Sequence, residues 1–297
     1  MSTEVPAAKR QKSSAAAEQG AGSSGTAAAA ATDSPSVTFL INAGMRGFLA
    51  GEMDKPYAPG SAQAAKGKEI SPRTHLQTIG TVVGPVEHLD GGKKKLGMTD
   101  YTRCVPNSVV AHRRAIAPLS GPIILCGLGP GVENTILSYQ GRYQEPGQDS
   151  AAHEFRCGPL AQHPAWSRLP DGDGAAAIGC VAGLIFITPL VTTKHHAAGD
   201  APGDIAAAHR QAPLLSLAVG TRILMLTGGR DDSKNPQNVA RLRDTIAQMP
   251  CKDTVTLHVV EGAGHNPFES KPTKLMAQKN CETMAIIEKF VQDCCYA

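Results

Sequence analysis

Three short runs have residue types and spacing suited to acyl-transfer chemistry. The first is Cys126-Gly127-Leu128-Gly129-Pro130-Gly131, which follows the apolar run 122–126. A nucleophile carried on a sharp strand-to-helix turn needs small neighbours so that the backbones can pass, hence the pattern Gly-x-Ser-x-Gly. Gly127 and Gly131 fill the outer places, but the central residue is Gly129, which has no hydroxyl. Glycine relieves the strain a serine must tolerate at such a turn. The turn is therefore expected to survive without its serine. A glycine-rich turn ahead of a helix can also cradle phosphate, although the Lys-Ser/Thr of a P-loop is missing.

The second run is Thr227-Gly228-Gly229-Arg230-Asp231-Asp232, and the third is Glu261-Gly262-Ala263-Gly264-His265-Asn266. Each follows an apolar run. The Asp231 carboxylate could accept the Nδ1 proton of an imidazole and orient it. Glycines ahead of His265 leave its ring room to swing over a sheet edge. A lone Asp or a lone His is more often a cap or a structural residue, but their order after the turn, acid before histidine, suits an acid–base pair. Substitutes for the missing serine are poor. Ser120 precedes the third apolar run, Ser138 falls along the following helix, and Cys126 reads as a strand residue pointing into the core. The adjacent His195 and His196, and the more widely spaced His153 and His163, lack a carboxylate or thiolate at ligand spacing. Neither a metal nor a cofactor is expected.

Six apolar runs would position these groups: 37–41, 79–86, 122–126, 181–187, 222–226 and 254–260. Runs without polar alternation suit strands covered on both faces. Between them, Val239, Leu242, Ile246 and Met249 form one helical stripe behind Asn235-Pro236. Met284, Ile287, Val291 and Cys294 form a second, and Val132, Ile136 and Tyr143 a third that would open just after the glycine turn. Strands alternating with helices predict an α/β fold, a mostly parallel central sheet with helices on both faces and right-handed crossovers. The stretches 144–178 and 192–213 carry little regular signal and read as loops.

Residues 1–35 are mostly Ala, Ser, Gly and Thr and predict a disordered tail ahead of a domain at 36–297. Within the tail, Pro6-Ala7-Ala8-Lys9-Arg10-Gln11-Lys12 is similar to a monopartite nuclear import signal. Lys9, Arg10 and Lys12 therefore predict a nuclear location, with a cytoplasmic one as the alternative. A net charge of +3 is too small and too dispersed to favour nucleic acid or a membrane as partner. No stretch approaches the roughly 20 apolar residues of a bilayer span, and no secretory signal is seen. Eight cysteines without a CxxC pair fit a reducing compartment. Cys294-Cys295 could carry lipid, but more simply ends a helix with one buried thiol.

On these segments the chain resembles an α/β-hydrolase-like family: testis-expressed protein thirty, the third subunit of the non-specific-lethal histone acetyltransferase complex, and bacterial relatives near dienelactone hydrolases. The likeness spans residues 37–295 and is strongest from 122 onward. Val37 to Gly44 resembles the first family strand and its His-Gly-Ala-Gly turn, with Asn42 in place of histidine. Gly92-Lys93-Lys94-Lys95 is similar to a basic run after the second strand, and Ile185-Phe186-Ile187-Thr188-Pro189-Leu190 to a strand ending in Tyr-Pro-Leu or Tyr-Pro-Phe. The resemblance implies an α/β-hydrolase fold with Gly129 at the nucleophile position and Asp231 and His265 as vestigial acid and histidine. It implies a non-catalytic interaction module with protein partners in a chromatin-associated assembly, and a vestigial pocket open to a small-molecule ligand. The alternative is a hydrolase of esterase or dienelactone-hydrolase type with a non-standard nucleophile.

Overall fold

The computed structural model describes residues 36–42, 53, 71–84, 112–129, 131–144, 166–168, 178–191, 211, 213–230, 237–268 and 274–296. Among the described residues six strands form one sheet: β1 (Val37–Asn42), β2 (Gly80–Val83), β3 (Ile123–Leu128), β6 (Val181–Ile187), β7 (Ile223–Gly228) and β8 (Val255–Val260). Their spatial order is β2-β1-β3-β6-β7-β8. Every pairing is parallel. Two short strands, β4 (Arg142–Gln144) and β5 (Trp166–Arg168), pair antiparallel in a separate ribbon. Among the described residues the helices include α1 (Pro72–Ile79), α2 (Gly131–Gln140), α3 (Asn238–Gln248) and α4 (Lys274–Cys295), and a single 3-10 turn, Lys252–Thr254, leads into β8.

Unbroken apolar runs become strands here because both sheet faces are covered. Every residue of β1, β3 and β7 is buried. Phe39, Ile41, Ile124, Cys126, Ile185 and Leu224 point to one face, where Leu76 of α1 and Met284, Ile287 and Val291 of α4 meet them. Leu40, Ile123, Leu125, Phe186 and Met225 point to the other, against Val132 and Ile136 of α2 and Leu242 of α3. Fully burying one such side chain is worth about 1.5–3 kcal/mol, so these two layers dominate the stability. His75 and Glu288 bond each other across α1 and α4.

The chain runs from β1 outward to β2 and then returns past β1 to β3, so its direction of travel reverses between β1 and β3. Ligands of open parallel sheets sit beyond the strands' carboxyl ends at such a reversal. Asn42 ends β1 in register with Gly127 of β3.

Several expectations need correction. Tyr143 does not line α2, which stops at Gln140 before Gly141 at φ +66°; it lies in β4. Ile79 ends α1, so the second strand starts at Gly80. The stretch 144–178 contains β5. Neither terminal cysteine is fully buried; Cys294 and Cys295 both pack part-buried against the α4 face of the sheet. The tail, the lysine run at 93–95, and His153, His163, His195 and His196 lie outside the described residues.

Candidate functional site

Gly129 follows β3 directly with φ +52°. Its N–H donates to the Ile187 carbonyl at 2.8 Å, and its carbonyl accepts from the Val132 N–H at 3.1 Å. The chain thus turns from strand into α2 through a left-handed residue, where a side chain costs roughly 1–2 kcal/mol. At Gly127 a Cβ would lie 2.7 Å from the Val132 Cα and 3.0 Å from the Gly131 carbonyl oxygen. Helix α2 packs that close to β3 because this position is glycine.

Thr188, at the end of the neighbouring strand, also has a positive φ, +53°. A β-branched residue in that region is strained. Two bonds hold it: its N–H donates to the Leu226 carbonyl at 2.7 Å, and its buried hydroxyl donates to the His265 backbone carbonyl at 2.8 Å. The sequence marks Thr188 only as part of a strand end and gives no sign of this backbone, since the position before a proline is normally extended.

His265 is half-buried in the segment after β8. That segment is tied to the end of β7 by Arg230 N–H to the Ala263 carbonyl at 2.8 Å and Gly229 N–H to the Val260 carbonyl at 2.9 Å. A Cβ on Gly228 would stand 1.7 Å from the Gly264 carbonyl oxygen, so the histidine segment crosses β7 where only glycine fits. Beyond it, the Asn266 Oδ1 accepts from the Phe268 N–H at 3.0 Å, and Phe268 is buried in the core. Gly129 and the His265 backbone are thus linked through Ile187 and Thr188. Asp231, one residue after Arg230, lies outside the described residues.

None of the substitute nucleophiles is well placed. Ser120 lies at the opposite, N-terminal end of β3. Cys126 points into the core, and burial pushes its thiol up to about 12. Ser138 has a histidine beside it, but not His265: its Oγ meets the Nδ1 of His112 and donates to the Thr135 carbonyl at 2.9 Å. Both side chains are wholly buried. Burial holds the His112 imidazole down at about 3, with the Arg113 cation adding to the effect. Beside Gly129, a cavity lined by Val132, Glu133, Ile136, Pro189, Leu190 and Leu214 offers about 20 Å³, room for roughly one water. Among the described residues, no group of three or more His, Cys, Asp or Glu side chains could hold a metal ion, and no helix is long and apolar enough to cross a membrane.

Strand order, crossovers and the strand–turn–helix at Gly129 give the chain an α/β-hydrolase-type fold. No protein-family model matches the chain, and no curated protein does. Solved structures are similar to it over most of its length. Esterase 2 of Thermogutta terrifontis, phosphorylated by paraoxon, is 12% identical over 86% of this chain and 81% of its own, with a TM-score of 0.42. The carboxylesterase Cest-2923 of Lactobacillus plantarum is 12% identical over 87% and 86%, with a TM-score of 0.46. A predicted CIB-like hydrolase of Thermoplasma acidophilum is 11% identical over 88% of each chain, with a TM-score of 0.39. Likenesses this distant bring neither activity nor substrate to this chain, whose fold assignment stands on its own topology.

Proposed function

We propose that this chain is an α/β-hydrolase-like protein without the nucleophilic serine, serving as a non-catalytic interaction module in the nucleus. One observation carries the reading: the residue at the strand-to-helix turn, where such folds hold their nucleophile, is Gly129 at φ +52°. Removing a triad serine forfeits many orders of magnitude in rate, and what remains comes only from oxyanion stabilisation and binding. Asp231 and His265 then persist as structural remnants. Partners are proteins, and the family resemblance together with Lys9, Arg10 and Lys12 points to a chromatin-associated assembly. A small-molecule ligand is the other partner class, and the cavity beside Gly129, with room for about one water, would have to widen to take it.

A second reading, a hydrolase with a non-standard nucleophile, draws on Thr188. Its hydroxyl lies on the His265 segment, and strained residues cluster at active sites. That hydroxyl donates to the His265 backbone carbonyl, a bond it would have to give up before the imidazole could take its proton.

The test is labelling by a fluorophosphonate probe and turnover of short nitrophenyl esters, run on the native protein and on Gly129→Ser, His265→Ala and Thr188→Val. The native protein should neither label nor turn over. Labelling confined to Gly129→Ser would reveal an otherwise intact but disarmed site. Native labelling that His265→Ala or Thr188→Val removes would overturn the proposal in favour of the second reading.

A further inference from the structure

Strand β8 closes one side of the sheet, and among the described residues nothing pairs with its outer edge. The opposite edge, β2, is blunted. It has four residues, begins with glycine, and runs into a left-handed Gly84 whose carbonyl accepts from the Arg73 guanidinium at 2.7 Å. Such devices keep an exposed edge from recruiting other strands. Strand β8 has none of them. Val255-Thr256-Leu257-His258-Val259-Val260 contains no lysine, proline or glycine, and it pairs with β7 without a bulge. Val255, Leu257 and Val259 are only half-buried.

One hydrogen bond fixes which backbone groups face outward. Val260 turns its carbonyl toward β7, accepting from the Gly229 N–H at 2.9 Å. Backbone groups alternate along a strand, so His258 and Thr256 face β7 too. The N–H and C=O groups of Val255, Leu257 and Val259 therefore face away from the sheet. These residues read Val-x-Leu-x-Val in either direction. Laid antiparallel against a second copy, one register lets all of them exchange both bonds: Val255 with Val259, Leu257 with Leu257, and Val259 with Val255. Leu257 then lies on a two-fold axis, as an isologous interface requires. On one face the three apolar side chains align, with Val255 and Leu257 continuing the layer that holds Leu242 and Met225. On the other face Thr256 meets His258 of the second copy. The rim is balanced in charge, with Lys252 and Asp253 at one end of β8 and Glu261, 3.8 Å from Lys279, at the other. Antiparallel pairing brings these opposite ends together, so two cations and two anions meet.

We infer that this chain forms a two-fold dimer by antiparallel addition of β8 to β8, joining two sheets into one. Sedimentation velocity on the full chain, over a dilution series from tens of micromolar downward, tests it. The native protein should sediment as a dimer. Leu257→Lys and Leu257→Asp should each weaken dimerisation by about tenfold or more, because like charges then face each other across the axis. An equimolar mixture of these two variants should recover the dimer, since opposite charges meet at the same place. Circular dichroism checks that both remain folded, and Thr256→Arg, at an exposed residue, supplies a third dimer-weakening variant independent of the apolar face. A native protein that stays monomeric throughout overturns the inference, as would occur if the edge served a strand of another protein. A dimer indifferent to all three variants, or a mixture of folded variants that stays monomeric, overturns it equally.

Discussion

His112 is a histidine kept from charging. Its ring is fully buried with Ser138 Oγ at Nδ1, and burial together with the Arg113 cation places its ionisation at about 3 instead of the ordinary 6.5. The sign of the consequence is fixed by linkage. Between those two values the unfolded chain binds a proton that the folded chain refuses, so stability rises with pH across the window. Above about 6.5 the contribution is complete. Below it, stability drains away with a slope approaching 1.4 kcal/mol per pH unit, and the loss levels off near 3. Urea denaturation at about pH 7.5 and about pH 5 should show the native protein losing more stability on acidification than His112→Gln does. Equal losses in both proteins would mean that the imidazole is not buried in its neutral form.

At the scale of elements, the C-terminal edge of the sheet depends on where glycine allows segments to cross. A Cβ at Gly228 would overlap the Gly264 carbonyl oxygen at 1.7 Å, and backbone, unlike the tip of a flexible side chain, cannot step aside. Gly228→Ala should cost about 2–4 kcal/mol and displace the His265 segment, read as a lowered urea midpoint and shifted His265 resonances in NMR spectra. Gly220→Ala is the control: a Cβ there meets nothing within 4 Å, so only its φ of +84° opposes the change, a penalty of roughly 1–2 kcal/mol. Comparable losses and an unmoved His265 would show that the crossing is looser than drawn. The same packing explains what could be read from the residues. Strands β1, β3, β6 and β7 were legible because burial on both faces leaves apolar runs, the edge strands β2 and β8 less so because they keep exposed positions, and Gly129 was legible because its turn needs glycines at fixed places. Helix α1 was not: its apolar face is only Pro72, Leu76 and Ile79 in eight residues, and Ile79 runs straight into the glycine that starts β2, so the sequence groups it with the strand. Strands β4 and β5 are three residues each and are held by pairing rather than by pattern. Thr188 was hidden because its left-handed backbone is imposed by bonds to β7 and to the His265 segment, which no local pattern encodes.

For the whole molecule, charge is informative by its placement more than by its sum. The net charge is +3, yet Lys9, Arg10 and Lys12 fall within four consecutive positions, earlier in the sequence than β1 and every other strand of the sheet. Import by such a cluster is an address read by a receptor, so it should act independently of the sheet and of its assembly. That independence gives the prediction its controls. In a full-length fluorescent fusion, replacing Lys9, Arg10 and Lys12 together with alanine should abolish nuclear accumulation. Leu257→Lys, which breaks the β8 interface, should leave accumulation intact, because each copy carries its own cluster. Gly129→Ser should also leave it intact, because the turn after β3 has no part in targeting. If the alanine variant still accumulates, the import reading fails. If instead Leu257→Lys disperses the protein while the alanine variant does not, retention by an assembly that needs the dimer holds the chain in the nucleus, and the β8 edge rather than the tail decides where it resides.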